Sequence, residues 1–223
     1  MFRAKYGCAK LAALVLVCSP LAVRASTLVF TLGSATPSFT DGQIVSAPTF
    51  NAADAGNAAP FNGENGGDAT SNFAATWAYN YSAIAPGTIT NATITLALWD
   101  ADSSATGNQV ATFTVGGISV TAALNAALEG HGGANDEYDI YTVTLPSTTF
   151  SALASGTPSL TLDLQGPGLS VLGPSTTNGA GLDFSTLTLT TGTVTAAPEP
   201  ATWGLLFAGI TGLVFKRRRA KRG

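Results

Sequence analysis

The sequence predicts an all-β domain, a jelly-roll-like β-sandwich over residues 26–197, set between two short terminal segments of different character. Three observations predict it. Period-two alternation of apolar and polar residues is far commoner than helical spacing between Ser26 and Ala197. Gly, Pro and Asn fall between the alternating runs, where turns need them. Charge is sparse, at 10% of the chain, while 45% of it is hydrophobic, too much for a disordered chain and enough for a core.

Taken in order, strands are expected at Thr27–Leu32, Ala74–Tyr81, Ile89–Trp99, Val110–Val115, Ile118–Thr121, Tyr138–Leu145, Leu160–Gln165 and Leu182–Thr190. Ile94, Leu96 and Leu98 alternate with Thr93, Thr95 and Ala97, so one face is buried and the other carries threonine. Leu160, Leu162 and Leu164 repeat the pattern against Thr161 and Asp163, and Leu187 and Leu189 against Thr186, Thr188 and Thr190. A single short helix is expected at Ala122–Glu129, capped by Thr121 and stopped by Gly130. The stretch from Asp41 to Asp68 reads as a long irregular loop, of the kind that is either functional or mobile. No internal repeat and no second domain is visible.

The charges are sorted along the chain. Every Lys and Arg lies at one end or the other, and none occurs from Ala25 to Phe215, where average usage would place roughly twenty. All thirteen carboxylates lie between Asp41 and Glu199. The central domain is therefore strongly acidic, and the net charge of −3 averages two unlike parts. Nucleic acid is excluded as a partner, because an acidic surface is repelled by phosphates. Without Lys there is no Schiff base, and without Arg no bidentate anion clamp.

At the start, Arg3, Lys5 and Lys10 accompany an apolar run from Leu11 to Cys18, and Pro20 follows. Val23-Arg24-Ala25 fits a cleavage site, so residues 1–25 read as a signal peptide cut between Ala25 and Ser26. Cys8 and Cys18 both fall inside it, which leaves the expected mature domain without a thiol or a disulfide. Val17 before Cys18 does not fit a lipidation site.

At the other end, Pro198-Glu199-Pro200 precedes an apolar segment, residues 201–215, and a basic run, residues 216–222. A helix over the apolar segment would be about 22 Å long, short against a hydrocarbon core of about 30 Å. The basic run would stay on the cytoplasmic side. Pro198 and Pro200 keep the junction extended, the form a protease binds. This tail, residues 198–223, resembles the PEP-CTERM sorting domain. The resemblance implies an exported protein of a Gram-negative bacterium that makes exopolysaccharide. It implies an exosortase as processing partner near Pro198, Glu199 and Pro200, with Arg217, Arg218 and Arg219 as the retained cytoplasmic cluster. The chain would be anchored transiently in the membrane, then released to the cell surface or the extracellular biofilm matrix.

Candidate chemistry in the passenger domain is confined to acids, aromatics and one histidine. His131 lies in Glu129-Gly130-His131-Gly132-Gly133 and reads as an exposed loop residue, with no Gly-x-Ser-x-Gly elbow to supply a nucleophile. Three acidic groups stand out: Asn135, Asp136, Glu137 and Asp139; Asp100 and Asp102 with Asn108; and Asn62, Glu64, Asn65 and Asp68. Clustered carboxylates with no internal cation are either solvated or hold a hard cation. Asp100, Asp102, Asp136, Glu137 and Asp139 are the metal candidates, with Ca2+ the ion their oxygens suit. No other cofactor is expected. Trp77, Tyr79, Tyr81 and Trp99 would stack sugar rings if exposed and form core if buried. The reading is a non-catalytic structural or exopolysaccharide-associated surface protein. Its alternatives are a carbohydrate-binding module with a structural Ca2+, and a glycan hydrolase with paired carboxylates.

Overall fold

The computed structural model describes residues 25–170 and 172–192. The signal peptide and the sorting tail, with Pro198, Glu199, Pro200, the apolar segment 201–215 and Arg217 to Arg219, lie outside them. The expected cleavage point, Ala25/Ser26, coincides with the start of the first strand.

The elements run β1 (Ser26–Gly33), β2 (Gln43–Ile44), α1 (Ala47–Asp54), β3 (Glu64–Asn65), β4 (Ala74–Ala78), β5 (Ile89–Trp99), β6 (Val110–Val115) and β7 (Ile118–Ser119). Then follow α2 (Thr121–His131), β8 (Glu137–Thr144), a 3-10 turn (Ser147–Thr149) leading into α3 (Phe150–Ala154), β9 (Ser159–Leu164) and β10 (Ala180–Thr191). The fold is all-β. One antiparallel sheet has the order β1-β10-β5-β8-β2, with β3 added on β10, and the other has the order β4-β9-β6-β7. A single apolar core joins them, with Ile94, Leu96, Leu98, Leu187 and Leu189 from the first sheet and Trp77, Phe113, Leu160 and Leu162 from the second. Alternation puts these residues inward, and hydrophobic burial holds the layers together.

The first sheet has two different outer halves. Toward one end, Thr31, Thr186, Thr95 and Thr142 pair directly across four strands, as do Val29, Thr188, Thr93 and Thr144 in the next row. None of the eight is buried, and Val29 is 59% exposed. Hydroxyl bonds at 2.9 Å join Thr31 to Thr186 and Thr95 to Thr142. Toward the other end, Ala97, Trp99, Tyr138 and Phe184 of the same outer face are buried under Val45 and Phe50. Phe50 stacks on Trp99 at 5.1 Å. A Cβ on Gly181 would stand 2.1 Å from the Phe50 ring, so only glycine fits beneath it.

That cover is built by the stretch expected to be an irregular loop. Residues 41–68 instead contain β2, α1 and β3. Pro48 near the first turn suits helix entry, and Phe50 supplies the anchor that the short helix lacks on its own. Ala97, expected on a threonine-bearing outer face, is buried for the same reason. Two details of α2 also differ from expectation. Thr121 does not cap it: Thr121 Oγ1 accepts the Phe113 N–H at 2.8 Å, and the helix continues past Gly130 to His131. Gly132, at φ 80°, ends it by donating its N–H to Leu128 O.

Candidate metal centre

The five acids chosen from sequence do not meet at one point. Asp100 and Asp102 fall in one cluster and Asp139 in another, while Asp136 lies beside the first and Glu137 joins neither. All lie about the end of the first sheet where Trp99 of β5 pairs with Gly181 of β10 and Tyr138 of β8.

The first cluster is Asp68, Asp100 and Asp102, one oxygen of each lying within 4.8 Å of the others. Asp100 and Asp102 follow β5 directly, and both have left-handed backbones, at φ 59° and 53°. Asp is among the few residues that tolerate this. Asp68 arrives from the chain after β3, where its Oδ1 accepts the Gly179 N–H at 3.1 Å. Asp136, also left-handed at φ 61°, turns the chain ahead of β8, and its N–H donates to Asp100 Oδ1 at 2.6 Å.

Burial dominates the electrostatics of this group. It pushes Asp100 up to about 7, against the Asp136 N–H, with the charge of Asp68 adding to the rise. It pushes Asp102 up to about 8, against the Leu169 N–H, with Asp100, Asp68 and Asp136 adding repulsion. Burial likewise raises Asp68, opposed by the Gly179 N–H. Asp102 is 1% exposed. One of its oxygens, Oδ2, accepts the Leu169 N–H, while Oδ1 is buried with no donor. Asn178 is fully buried beside it, its amide donating to Ala101 O at 3.0 Å and its own Oδ1 without a donor.

The second cluster is Asp41, His131 and Asp139. His131 is not a loop residue: it is the last residue of α2, with Nε2 3.2 Å from Asp41 Oδ1 and Nδ1 3.4 Å from Asp139 Oδ1. Asp41 Oδ1 also accepts the Ile140 N–H at 2.7 Å. Asp139 Oδ2 accepts the Tyr141 hydroxyl at 2.9 Å, and that hydroxyl lies 3.1 Å from Ser103 Oγ. Burial raises Asp139, and the Tyr141 hydroxyl and His131 pull it back. Both ring nitrogens of His131 thus face carboxylates.

Asp139 leaves the first cluster because it lies inside β8 and follows the strand, whereas Asp136 precedes it at a reversal of the backbone. Glu137 joins neither cluster: its Oε2 accepts the Ala134 N–H at 2.6 Å. Sequence reasoning missed Asp68 as a partner of Asp100 and Asp102, and Asp41 as a partner of His131. Both lie in or beside the 41–68 cover, and no sequence periodicity signals where it docks.

Another buried acid, Asp54, sits apart from both clusters with Asp183. Asp54, pushed up to about 7 by burial and then by the charge of Asp183, has one oxygen without a donor. Protonated, that oxygen would donate to Asp183, whose carboxylate already accepts the Tyr138 hydroxyl and both Ser38 groups.

The aromatics are core. Trp77 and Tyr79 are buried, with Trp77 Nε1 and the Tyr79 hydroxyl 3.2 and 2.7 Å from Ser185 Oγ. Tyr81 stacks on Phe30 at 4.2 Å and donates to Leu153 O, and Trp99 donates to Val45 O at 2.7 Å. They offer no stacking platform for sugars. Two open depressions, of about 290 and 330 Å³, lie along β4; the first has no carboxylate in its lining and the second has Glu64 alone. Among the described residues, no helix is long and apolar enough to cross a membrane.

No protein-family model matches the chain, and a search of curated proteins finds no match. Among solved structures, the chain is similar to dimeric latent PorU from Porphyromonas gingivalis, at 11% identity and a TM-score of 0.32. The match covers 79% of this chain and 14% of that one, a likeness too remote to carry a functional argument.

Proposed function

We propose that this is an exported protein of the cell surface or exopolysaccharide matrix, acting without chemistry as a structural or polymer-associated module. The observation that carries the proposal is the sorting of charge. All basic residues lie in the two terminal segments, and one of those segments ends in Pro198-Glu199-Pro200, a short apolar run and an arginine cluster. The strand order β1-β10-β5-β8 facing β4-β9-β6-β7 is that of two interleaved Greek keys, which supports the jelly-roll reading of the passenger. The threonine rows support polymer contact. They form an uncharged face of hydroxyls and methyls across four strands, suited to a neutral glycan.

Intact mass of the protein recovered from its native host tests the sorting. The expected mature form begins at Ser26 and lacks the segment from Ala201 onward. Finding Arg217 to Arg219 on the surface-exposed form would overturn the reading. Co-sedimentation with the host's matrix polysaccharide tests the contact face. Thr93→Asp with Thr188→Asp, at the centre of the rows, should reduce it severalfold with the fold intact. Undiminished co-sedimentation would rule that face out.

A further inference from the structure

Four buried carboxylates, Asp54, Asp100, Asp102 and Asp183, have no internal cation beside them among the described residues. No Lys or Arg occurs between Ala25 and Phe215, and the one histidine is held between Asp41 and Asp139. Buried charges are tolerated when they are paired, protonated or bound to a metal. Asp54 has a neighbouring carboxylate to share a proton with. The Asp68 cluster differs in bringing three carboxylates together, of which Asp68 and Asp102 are close enough to share one proton. Asp102 holds the Leu169 N–H with one oxygen, its other oxygen is fully buried without a donor, and its carboxylate lies within 4.8 Å of those of Asp68 and Asp100. A second orphan oxygen, on Asn178, lies beside the same loop.

We propose that Asp68, Asp100 and Asp102, with Asp136 alongside, form a binding site for one Ca2+ ion. Every candidate ligand is oxygen, which favours a hard cation and disfavours zinc or copper. Ca2+ accepts six to eight oxygens in flexible geometry, and loop carbonyls and water would complete its shell; Mg2+ demands a tighter octahedron. The ion would join segments far apart in sequence: the chain after β3, the loop after β5 and the turn before β8. The Leu169 and Gly179 backbones, which bond the same carboxylates, add the loop between β9 and β10. It would therefore act as a staple at one end of a domain that has no disulfide to do so.

The purified mature protein, stripped with chelator, tests this by titration with CaCl2, MgCl2 and NaCl at matched ionic strength. The expected result is one Ca2+ per chain by calorimetry. Tm should rise by roughly 5–10 °C once Ca2+ exceeds its Kd about a hundredfold. MgCl2 should give a smaller rise and NaCl little. Asp102→Asn and Asp100→Asn, each checked for fold by circular dichroism, should weaken binding at least about tenfold. Asp41→Asn, in the other cluster, should leave binding unchanged. An equal response to NaCl, or unaltered Ca2+ binding in both Asp102→Asn and Asp100→Asn, would overturn the proposal. So would loss of binding in Asp41→Asn.

Discussion

The two acidic clusters at the end of the first sheet meet the same electrostatic problem in different ways. At Asp41 and Asp139, the chain spends its only histidine, and each imidazole nitrogen faces a carboxylate. At Asp68, Asp100 and Asp102 there is no internal cation, and the carboxyl groups of Asp100 and Asp102 are pushed up to about 7 and 8. The first cluster holds an imidazole between its two carboxylates, although Asp139 Oδ1 keeps no hydrogen bond; the second has no histidine at all. In a domain without Lys or Arg, the site of unmet charge is where an external ligand gains most.

Both clusters depend on the segment that covers Trp99, since Asp41 enters it and Asp68 leaves it. Removing its anchor should therefore have the largest effect and damage the two together. Phe50→Ala is expected to cost about 3–5 kcal/mol, seen as a loss of Tm or of the denaturant midpoint. It should also weaken Ca2+ binding, although Phe50 touches no carboxylate of the site. Retained Ca2+ affinity in a folded Phe50→Ala protein would mean that Asp68 is positioned independently of the cover.

The clusters should then respond to neutralisation with opposite signs. Asp139→Asn removes a partner of His131 and is expected to lower stability by about 1–2 kcal/mol. Asp102→Asn, in metal-free buffer, removes repulsion while its amide oxygen still accepts the Leu169 N–H, so stability should rise by on the order of 1 kcal/mol. Thermal melts of the two variants side by side decide this. Two changes of the same sign would erase the distinction between the clusters.

The sheets were far more legible in the sequence than this pairing of acids. Expected and observed bounds agree for Ile89–Trp99 and Val110–Val115 because alternation is a local signal. The burial of Leu160, Leu162 and Leu164 follows from the same signal. The cover was not legible. APTFNAAD has one large apolar residue, and its helix is stabilised by Trp99 and by the missing side chain of Gly181, both distant in sequence. By sequence alone, Asp68 belongs with its neighbours Asn62, Glu64 and Asn65. What unites it with Asp100 and Asp102 is the pairing of β3 with β10 and of β10 with β5.

pH should sharpen the comparison further. Asp54, Asp100 and Asp102 bind protons more tightly in the folded chain, at about 7, 7 and 8, than at the ordinary value of 3.8. The folded state therefore takes up protons between roughly pH 4 and 8, and unfolding releases them. Metal-free stability should rise as pH falls through that window and decline as pH rises toward 8. With saturating Ca2+ the Asp100 and Asp102 contribution should reverse, because protons then compete with the ion. Denaturant melts at pH 5, 6, 7 and 8, with and without Ca2+, should give curves of different slope. Parallel curves would show that the ion and the protons act on different groups.

The smallest expected effect belongs to Glu137, a metal candidate by sequence that the fold places elsewhere. Its Oε2 accepts the Ala134 N–H, closing the turn that leads into β8, and it shares neither cluster. Glu137→Gln keeps an acceptor for that N–H, so stability should change by no more than about 0.5 kcal/mol. The Ca2+ response should match the unaltered protein, because the substitution changes no ligand of the Asp68 site. Asp68→Asn, by contrast, should abolish most of that response, although Asp68 lies 69 residues earlier in the chain. Calorimetric titration of the two variants reads both outcomes directly. If Glu137→Gln lost Ca2+ binding and Asp68→Asn kept it, the ion would be held by the acids contiguous in sequence. The end of the sheet would then have to rearrange around the ion, bringing Glu137 off the Ala134 N–H.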